Sequence, residues 1–118
     1  MNNPFGIGID IVNVSRFKNK PLKTNLDFYK KIFLEDEIEY CKKFKSPYEH
    51  FAGKFALKEA VIKSINEDVG FSEIVTSHTN SKPIVKIKKS LSNKYNFIVS
   101  ISHEKEFAIA VAISIKNN

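Results

Sequence analysis

The amino-acid sequence lacks the residues that build disulfide frameworks and the runs that cross membranes. Its one cysteine, Cys41, excludes an intramolecular disulfide and a cysteine-rich zinc site, and its neighbours predict a structural position in a helix. No apolar run approaches the roughly 20 residues that span a bilayer, and no basic region precedes an apolar one at the N-terminus. We therefore expect a cytoplasmic protein with no membrane span and no signal peptide.

Classical nucleotide-binding loops and zinc-ligand spacings are missing as well. Neither G-x-x-x-x-G-K-[ST] nor G-x-G-x-x-G occurs, because the pair Gly6 and Gly8 lies inside a strand pattern without the helix that must follow. His50 and His78 lack zinc-ligand spacing and are expected to be surface or packing residues. His103, in the polar stretch SHEKE, is expected to hydrogen-bond either a phosphate or the turn backbone.

The composition indicates one compact domain over residues 1–118 with an acidic partner. The chain has no internal repeat, linker or low-complexity segment, and its ten phenylalanines are spread from end to end. Its net charge of +6 favours nucleic acid, an acidic protein or a phosphorylated small molecule as the partner. Charge alone does not choose among these three.

A long central helix is the main predicted element. Residues Phe51 to Ile65 are dominated by Ala, Leu, Lys and Glu without a proline, and Ser46-Pro47 predicts where this helix begins. Further helices are predicted at Leu26 to Phe33 and within LEDEIEYCKKFK. Strands are predicted at Phe5 to Val12, Phe71 to Thr76, Ile84 to Ile87, Phe97 to Ile101 and Phe107 to Ile115. The small-residue face of the last strand is expected to let the central helix approach closely.

Two charges of the central helix lie within or beside its apolar arc. Lys58 and Glu59 therefore face the interior, where a charge is costly unless it is paired, hydrogen-bonded or bound to a cation. Lys63, one turn beyond Glu59, is the local partner, in an i,i+4 pair worth about 0.3 to 0.5 kcal/mol. The alternative is that Glu59 binds a cation.

Asp10 is the second carboxylate in apolar surroundings. It lies in a strand pattern, on the face that carries Gly6 and Gly8, so that another group can approach the backbone there. Asp10 either caps the turn that follows or acts chemically. Together with Glu59 it would suit a hard cation such as Mg²⁺, which prefers carboxylates, waters and phosphate oxygens. Lys54, Lys58 and Lys63 would present phosphate-binding ammonium groups from the central helix.

Three segments together resemble the signature sequences of the holo-acyl-carrier-protein synthases, the small 4'-phosphopantetheinyl transferases. They are GIGIDIVNVSRF, FAGKFALKEAVIKSI and VSISHEKEFAIAVAI, and their order, their spacing and the chain length all match. The resemblance implies transfer of the 4'-phosphopantetheine group of coenzyme A to a serine of apo acyl carrier protein, for fatty acid biosynthesis, with release of adenosine 3',5'-bisphosphate. It also implies an α+β fold, with a small antiparallel sheet packed on the central helix, and a homotrimer with active sites between subunits.

The resemblance implies roles for individual residues. Asp10 and Glu59 would hold Mg²⁺ and, with Lys63, form the catalytic set. The coenzyme A site would be lined by Lys54, Lys58, Lys63, Pro83, Ser102 and His103. Acyl carrier protein, an acidic partner, would dock on Arg16, Phe17 and Lys18. Whether Glu59 or a water on the metal removes the serine proton stays open.

Two positions depart from the family pattern. Lys54 stands where arginine is common, which keeps the charge and loses the bidentate fork. Ser81 stands where glycine is common, which alters the turn if a positive φ is required there. The alternative function is a small basic nucleic-acid-binding module, but the phenylalanines fall on predicted core faces instead of interleaving with basic residues on an exposed one.

Overall fold

The structure is a computed structural model and describes residues 3–118. Along these residues the elements are strand β1 (Phe5–Asn13), helices α1 (Ser15–Lys18), α2 (Leu26–Ile32), α3 (Glu35–Lys42) and α4 (Pro47–Ser64), then strands β2 (Ile74–Thr79), β3 (Lys82–Ile87), β4 (Tyr95–Glu104) and β5 (Phe107–Lys116). Short 3-10 turns lie at Leu22–Thr24, Phe71–Glu73 and Lys89–Leu91. Every predicted helix and strand is present, with small shifts at the ends.

The strands form two sheets, and the central helix packs against the larger one. β1, β5 and β4 form an antiparallel sheet in that order, and β2 and β3 form a separate hairpin that contacts β4. Helix α4 lies against the inner face of the three-stranded sheet, where it contacts all three strands. No helix in residues 3–118 is long and apolar enough to cross a membrane.

Small residues on the inner face of the sheet let α4 come close. A Cβ atom added at Gly8 would overlap the carbonyl oxygen of Ala60, so only glycine fits at this position. On β5 the inner face consists of small buried residues, Ala108, Ala110, Ala112 and Ser114. The predicted close approach of the central helix to this face is confirmed.

An aromatic cluster fills the space between α4 and the short helices α1 and α2. Phe17, Tyr29 and Phe51 are fully buried, and the Tyr29 and Phe51 ring centroids lie 4.7 Å apart. The Tyr29 hydroxyl shares its one proton between the carbonyl oxygens of Phe17 (3.0 Å) and Lys20 (2.7 Å), which ties α2 to the end of α1. Burial raises the pKa of the Tyr29 hydroxyl, so it stays a donor at neutral pH.

The outer face of the same sheet is apolar and exposed in the single chain. On β1 the residues opposite the inner face are Phe5, Ile7, Ile9 and Ile11, and Ile7 is 69% exposed. Ile98 on β4 is 60% exposed on this face. Monomeric proteins rarely expose a contiguous apolar surface of this kind, so it marks an interaction site.

Two local features differ from the sequence-based prediction or extend it. The strand predicted from Phe71 begins only at Ile74, because residues 71–73 form a 3-10 turn in which the Glu73 carboxylate accepts the Gly70 N–H at 3.1 Å. The turn between β2 and β3 contains Asn80 (φ 52°) and Ser81 (φ 67°). Ser81, which stands where glycine is common, therefore adopts the left-handed backbone conformation. This conformation costs a non-glycine residue about 1 kcal/mol.

Candidate functional site

Asp10 and Lys63 meet where β1 crosses α4. The Lys63 Nζ donates to Asp10 Oδ1 and to the Ile9 carbonyl oxygen, each at 3.1 Å. The Asp10 side chain is 15% exposed, whereas that of Lys63 is 52% exposed. β1 is an edge strand of its sheet, so this pair lies at an edge that solvent and ligands can reach.

Glu59 lies one turn before Lys63 on the same side of α4. Gly8 packs against the Ala60 carbonyl. Asp10 lies two residues, or about 6.6 Å, further along β1, and so it lies beside the turn of α4 that precedes Ala60. Helical side chains lean toward the N-terminus, which brings the Glu59 carboxylate toward the level of Asp10. We call Asp10, Glu59 and Lys63 the carboxylate edge.

The predicted ion pair between Glu59 and Lys63 is absent. Lys63 pairs with Asp10 instead, and within residues 3–118 no lysine, arginine or histidine nitrogen lies within 4.0 Å of the Glu59 carboxylate. The reason is tertiary, because β1 offers Lys63 a carboxylate and a carbonyl oxygen together. Glu59 is thus a half-buried carboxylate without a partner cation.

A cleft of about 380 Å³ opens on the opposite side of α4. Three of the residues predicted to bind coenzyme A line it, and aromatic and histidine rings complete the wall. Its main lining residues are Tyr40, His50, Lys54, His78, Pro83 and His103. Pro83 lies in the β2–β3 hairpin and His103 on β4, so the cleft lies where hairpin, sheet and α4 meet.

Lys54 provides a buried positive charge in the wall of this cleft. Only 2% of the residue is exposed, and its Nζ donates to Thr76 Oγ1 at 2.9 Å. The Nζ also lies 4.7 Å from the centre of the Tyr40 ring, a favourable cation–π distance. Burial lowers the pKa of Lys54, since the charged form loses its water shell.

Three histidines of the chain gather at the cleft. His103 Nε2 lies 3.0 Å from the Glu49 carbonyl, and since a carbonyl only accepts, this nitrogen carries the proton. His78 stacks on Tyr40 with 4.5 Å between ring centroids. Burial lowers the pKa values of His50 and His78, and the positive charge of Lys54 lowers them further. Sequence reasoning treated His50 and His78 as surface or packing residues and missed their place here, because they come from separate elements with no common spacing.

Lys58 does not reach the cleft. It is fully buried, and its Nζ donates to Glu37 Oε1 at 2.7 Å and to the carbonyl oxygens of Ile32 (2.9 Å) and Phe71 (3.0 Å). All three N–H groups are used inside the protein. The interior position predicted for this charge is confirmed, but the structure contradicts its predicted contact with coenzyme A.

Two other predicted site residues point elsewhere. Ser102 pairs with Ile109 and lies on the outer face of the sheet, because strand side chains alternate and His103 occupies the inner side. Phe17 is fully buried in the aromatic cluster and offers no docking surface. Its neighbours Arg16 and Lys18 are exposed, so the predicted carrier-docking triplet is reduced to its two basic members.

The carboxylate edge and the cleft lie on different sides of one chain. Lys54 and Glu59 are five residues apart on α4, which separates their side chains by about 140° around the helix axis. Asp10 lies on β1 and His103 on β4, the two opposite edges of the sheet. A single chain therefore does not combine both groups in one pocket.

Comparisons with known proteins agree with one another. The model of the 4'-phosphopantetheinyl transferase superfamily matches residues 6–112. The holo-[acyl-carrier-protein] synthase of Thermodesulfovibrio yellowstonii is 39% identical over 109 residues, which cover 92% of this chain and 96% of the relative. The Helicobacter pylori synthase in complex with coenzyme A is 34% identical with a TM-score of 0.77, over 92% of this chain and 98% of that one.

A second solved structure extends the match. The Bacillus anthracis synthase in complex with CoA (3',5'-ADP) is 32% identical with a TM-score of 0.78, over 95% of this chain and 96% of that one. The likeness covers nearly the whole of both chains. The predicted α+β class, with a small antiparallel sheet on a long central helix, is thereby confirmed.

Substitutions at Lys58 and Lys63 of α4 should differ sharply in their effect on stability. Lys58→Met leaves the buried Glu37 carboxylate without its cation, and we expect the free energy of unfolding to fall by about 3 kcal/mol or more. The same change at exposed Lys63 should cost less than about 1 kcal/mol. Urea denaturation of both variants measures the difference, and equal losses would contradict the assignment of Lys58 to the core.

Proposed function

The chain belongs to the 4'-phosphopantetheinyl transferase superfamily, and from this we propose that it is a holo-acyl-carrier-protein synthase. It transfers the 4'-phosphopantetheine group of coenzyme A to a serine of apo acyl carrier protein and releases adenosine 3',5'-bisphosphate. The observation that carries this function is the match to synthases of that name along nearly the whole chain. The nucleic-acid-binding alternative is not favoured, because the relatives and solved structures named above are synthases.

The pathway and the cellular compartment are part of the same proposal. The modified carrier would serve fatty acid biosynthesis, a branch of lipid metabolism, and the reaction would take place in the cytoplasm. Cys41 is buried and unpaired, which suits a reducing compartment, and burial raises the pKa of its thiol to about 12, so it is chemically quiet. Depletion of the enzyme in its native cell should leave the carrier in its apo form, and continued holo carrier formation would contradict this setting.

The carboxylate edge fits a magnesium ion. Within residues 3–118 no cluster of three or more histidine, cysteine or carboxylate side chains forms a protein cage for a metal. Mg²⁺ characteristically takes only one or two protein carboxylates and completes its shell with waters and substrate phosphates. Asp10 and Glu59 would supply those two carboxylates. When bound, the ion would neutralise the negative charge that develops on the pyrophosphate during transfer.

Lysines from both sides of α4 would bind the phosphates of coenzyme A. Lys63 compensates the charge of Asp10 in this structure, and with half of its side chain exposed it can also contact a phosphate. Lys54 and His103 would act from the cleft, where the Tyr40 ring and its neighbours form a wall suited to the adenine base. Phosphoryl transfer needs mainly positioning and charge stabilisation, which these groups provide.

A homotrimer would bring the two halves of the site together. The carboxylate edge and the cleft lie on different sides of the chain, so a complete site requires the edge of one subunit against the cleft of the next. Such a contact joins two different surfaces and closes into a ring when the rotation fits, as in a three-fold assembly. The exposed apolar outer face of the sheet offers the surface that assembly would bury.

The transfer reaction and its metal are tested together. After incubation with coenzyme A, Mg²⁺ and apo acyl carrier protein, mass spectrometry should show the carrier gaining one phosphopantetheine group. Asp10→Asn and Glu59→Gln should each lower the rate about 100-fold or more, because each removes a ligand charge, and a chelator should stop the reaction.

The matched control is Asp68→Asn, which makes the same change at an exposed loop residue and should leave the rate unchanged. An unmodified carrier with the wild-type enzyme would refute the function. Full activity in either site variant, or in the presence of chelator, would refute the metal assignment alone.

Assembly is tested by solution mass. Light scattering should give three times the 13.5 kDa chain mass. Ile7→Lys places a charge on the apolar outer face and should give inactive monomers, whereas Ile7→Val should remain an active trimer. A wild-type monomer with full turnover would overturn the shared-site arrangement.

Carrier docking is tested by charge reversal at Arg16. This side chain is exposed just after β1, with its guanidinium 4.9 Å from the Phe55 ring centre, and a carrier docked there would reach the carboxylate edge. Arg16→Glu should raise the KM for the carrier about tenfold or more without changing the KM for coenzyme A. The effect should shrink with salt, because exposed charges are screened over about 10 Å at 0.1 M.

Lys116→Glu makes the same charge change at the far end of the sheet and should leave both KM values unchanged. If Arg16→Glu instead weakens coenzyme A binding and leaves the dependence on the carrier as it was, the carrier docks elsewhere.

A further inference from the structure

A buried polar network connects the cleft to the interior of the protein. At its centre is Glu37, which is 2% exposed. Glu37 Oε1 accepts hydrogen bonds from the backbone N–H of Leu34 and from the Lys58 ammonium, both at 2.7 Å. Glu37 Oε2 accepts from the backbone N–H (2.9 Å) and the hydroxyl (2.5 Å) of Thr76. The carboxylate is thus held on four sides by α3, α4 and β2.

The hydrogen bonds of Thr76 have a definite direction. The hydroxyl has one proton, and an ionised carboxylate can only accept, so Thr76 donates this proton to Glu37. Its oxygen is then left to accept from Lys54 Nζ, 2.9 Å away. The chain of donors runs from Lys54 through Thr76 to Glu37.

This network holds more positive than negative charge. Two lysines and one glutamate leave it with one net positive charge. Lys58 is fully satisfied by three acceptors, and both Glu37 oxygens are used. The excess charge therefore belongs to Lys54, for which residues 3–118 offer only the Thr76 hydroxyl and the Tyr40 ring as partners. A buried ammonium with unused N–H groups in the wall of a cleft favours an anionic ligand.

Lys54 also borders a second groove. This groove lies between α3 and β2 and is lined by the carboxylates Asp36 and Glu39 as well as by Lys54 and Thr76. Lysine is a point charge on a flexible four-carbon stem, so it does not hold one direction by itself. Without the Thr76 hydroxyl, the ammonium would be free to turn toward these acidic side chains and away from the cleft.

We propose that Thr76 is a positioning residue for the donor substrate: its hydroxyl, oriented by Glu37, holds the Lys54 ammonium at the cleft wall, where it meets a phosphate group of coenzyme A. The inference rests on the proposed function for the identity of the ligand. It assigns to Thr76 a role in donor affinity without any contact between Thr76 and the donor.

The experiment compares Thr76→Val, which keeps the shape and removes the hydroxyl, with Thr76→Ser, which keeps the hydroxyl. Thr76→Val should raise the KM for coenzyme A about tenfold, since a hydrogen bond to a charged group is lost, while kcat and the KM for the carrier change less than about twofold. Thr76→Ser should restore the wild-type KM even though it loses a buried methyl group. Thr79→Val, the same substitution at an exposed position on β2, should change nothing.

A double-mutant cycle tests whether Thr76 acts through Lys54. Lys54→Met should raise the KM for coenzyme A by more than Thr76→Val does, and adding Thr76→Val to Lys54→Met should produce no further rise. A merely structural role would lower the melting temperature of Thr76→Val and Thr76→Ser alike without a selective change in the KM for coenzyme A. That result, or additive effects in the cycle, would overturn the proposal.

A binding measurement separates this inference from the proposed function. Titration calorimetry with adenosine 3',5'-bisphosphate needs no turnover. Thr76→Val should bind the bisphosphate with a Kd about tenfold higher than that of the wild type, and Thr76→Ser should bind it with the wild-type Kd. An inactive wild type that still binds in this order would refute the transferase assignment and keep the inference. A wild type that does not bind the bisphosphate would overturn the inference. If Thr76→Val does not fold, Thr76→Ala serves in its place, because the backbone N–H of residue 76 still donates to Glu37.

Discussion

The close approach between α4 and the three-stranded sheet is the contact on which the rest of the structure depends. It requires Gly8 on β1, because a Cβ atom there would overlap the helix backbone, and β5 contributes small buried alanines to the same contact. The same approach places Asp10 beside Lys63, and it leaves the bulky side chains of β1 no position except the outer face. One packing constraint therefore determines both where the carboxylate edge lies and why an apolar surface remains exposed.

Burial of charge on α4 is the second constraint. The helix carries Lys54 and Lys58 into the interior, where the cost of removing water from two ammonium groups is offset through one carboxylate, Glu37. Lys58 donates a hydrogen bond directly to the Glu37 carboxylate, whereas Lys54 is connected to it through the Thr76 hydroxyl. The consequence is functional as well as structural, because an ammonium that the interior compensates only partly is well suited to bind a phosphate.

The geometry of α4 also underlies the proposal that a complete site needs two subunits. An α-helix turns through about 100° per residue, so neighbouring functional residues along its sequence diverge in space. Lys63 bonds Asp10 at the β1 edge, with Glu59 one helical turn before it, while Lys54 lines the cleft beside β4. The proposed reaction needs both groups at one pyrophosphate. The proposed assembly meets this need by pairing the edge of one subunit with the cleft of another.

The sequence by itself determined the elements and the class of chemistry. Periodicity identified the central helix, helices α2 and α3 and all five strands, because each buries one face and so repeats its apolar residues at a fixed spacing. It also marked Asp10, Lys58 and Glu59 as charges in apolar surroundings. Tertiary structure alone decided their partners. Lys63 bonds Asp10 and not Glu59, Lys58 bonds Glu37, and His50 and His78 join His103 at the cleft. These contacts join residues from separate elements, and local spacing carries no information about which distant elements pack together.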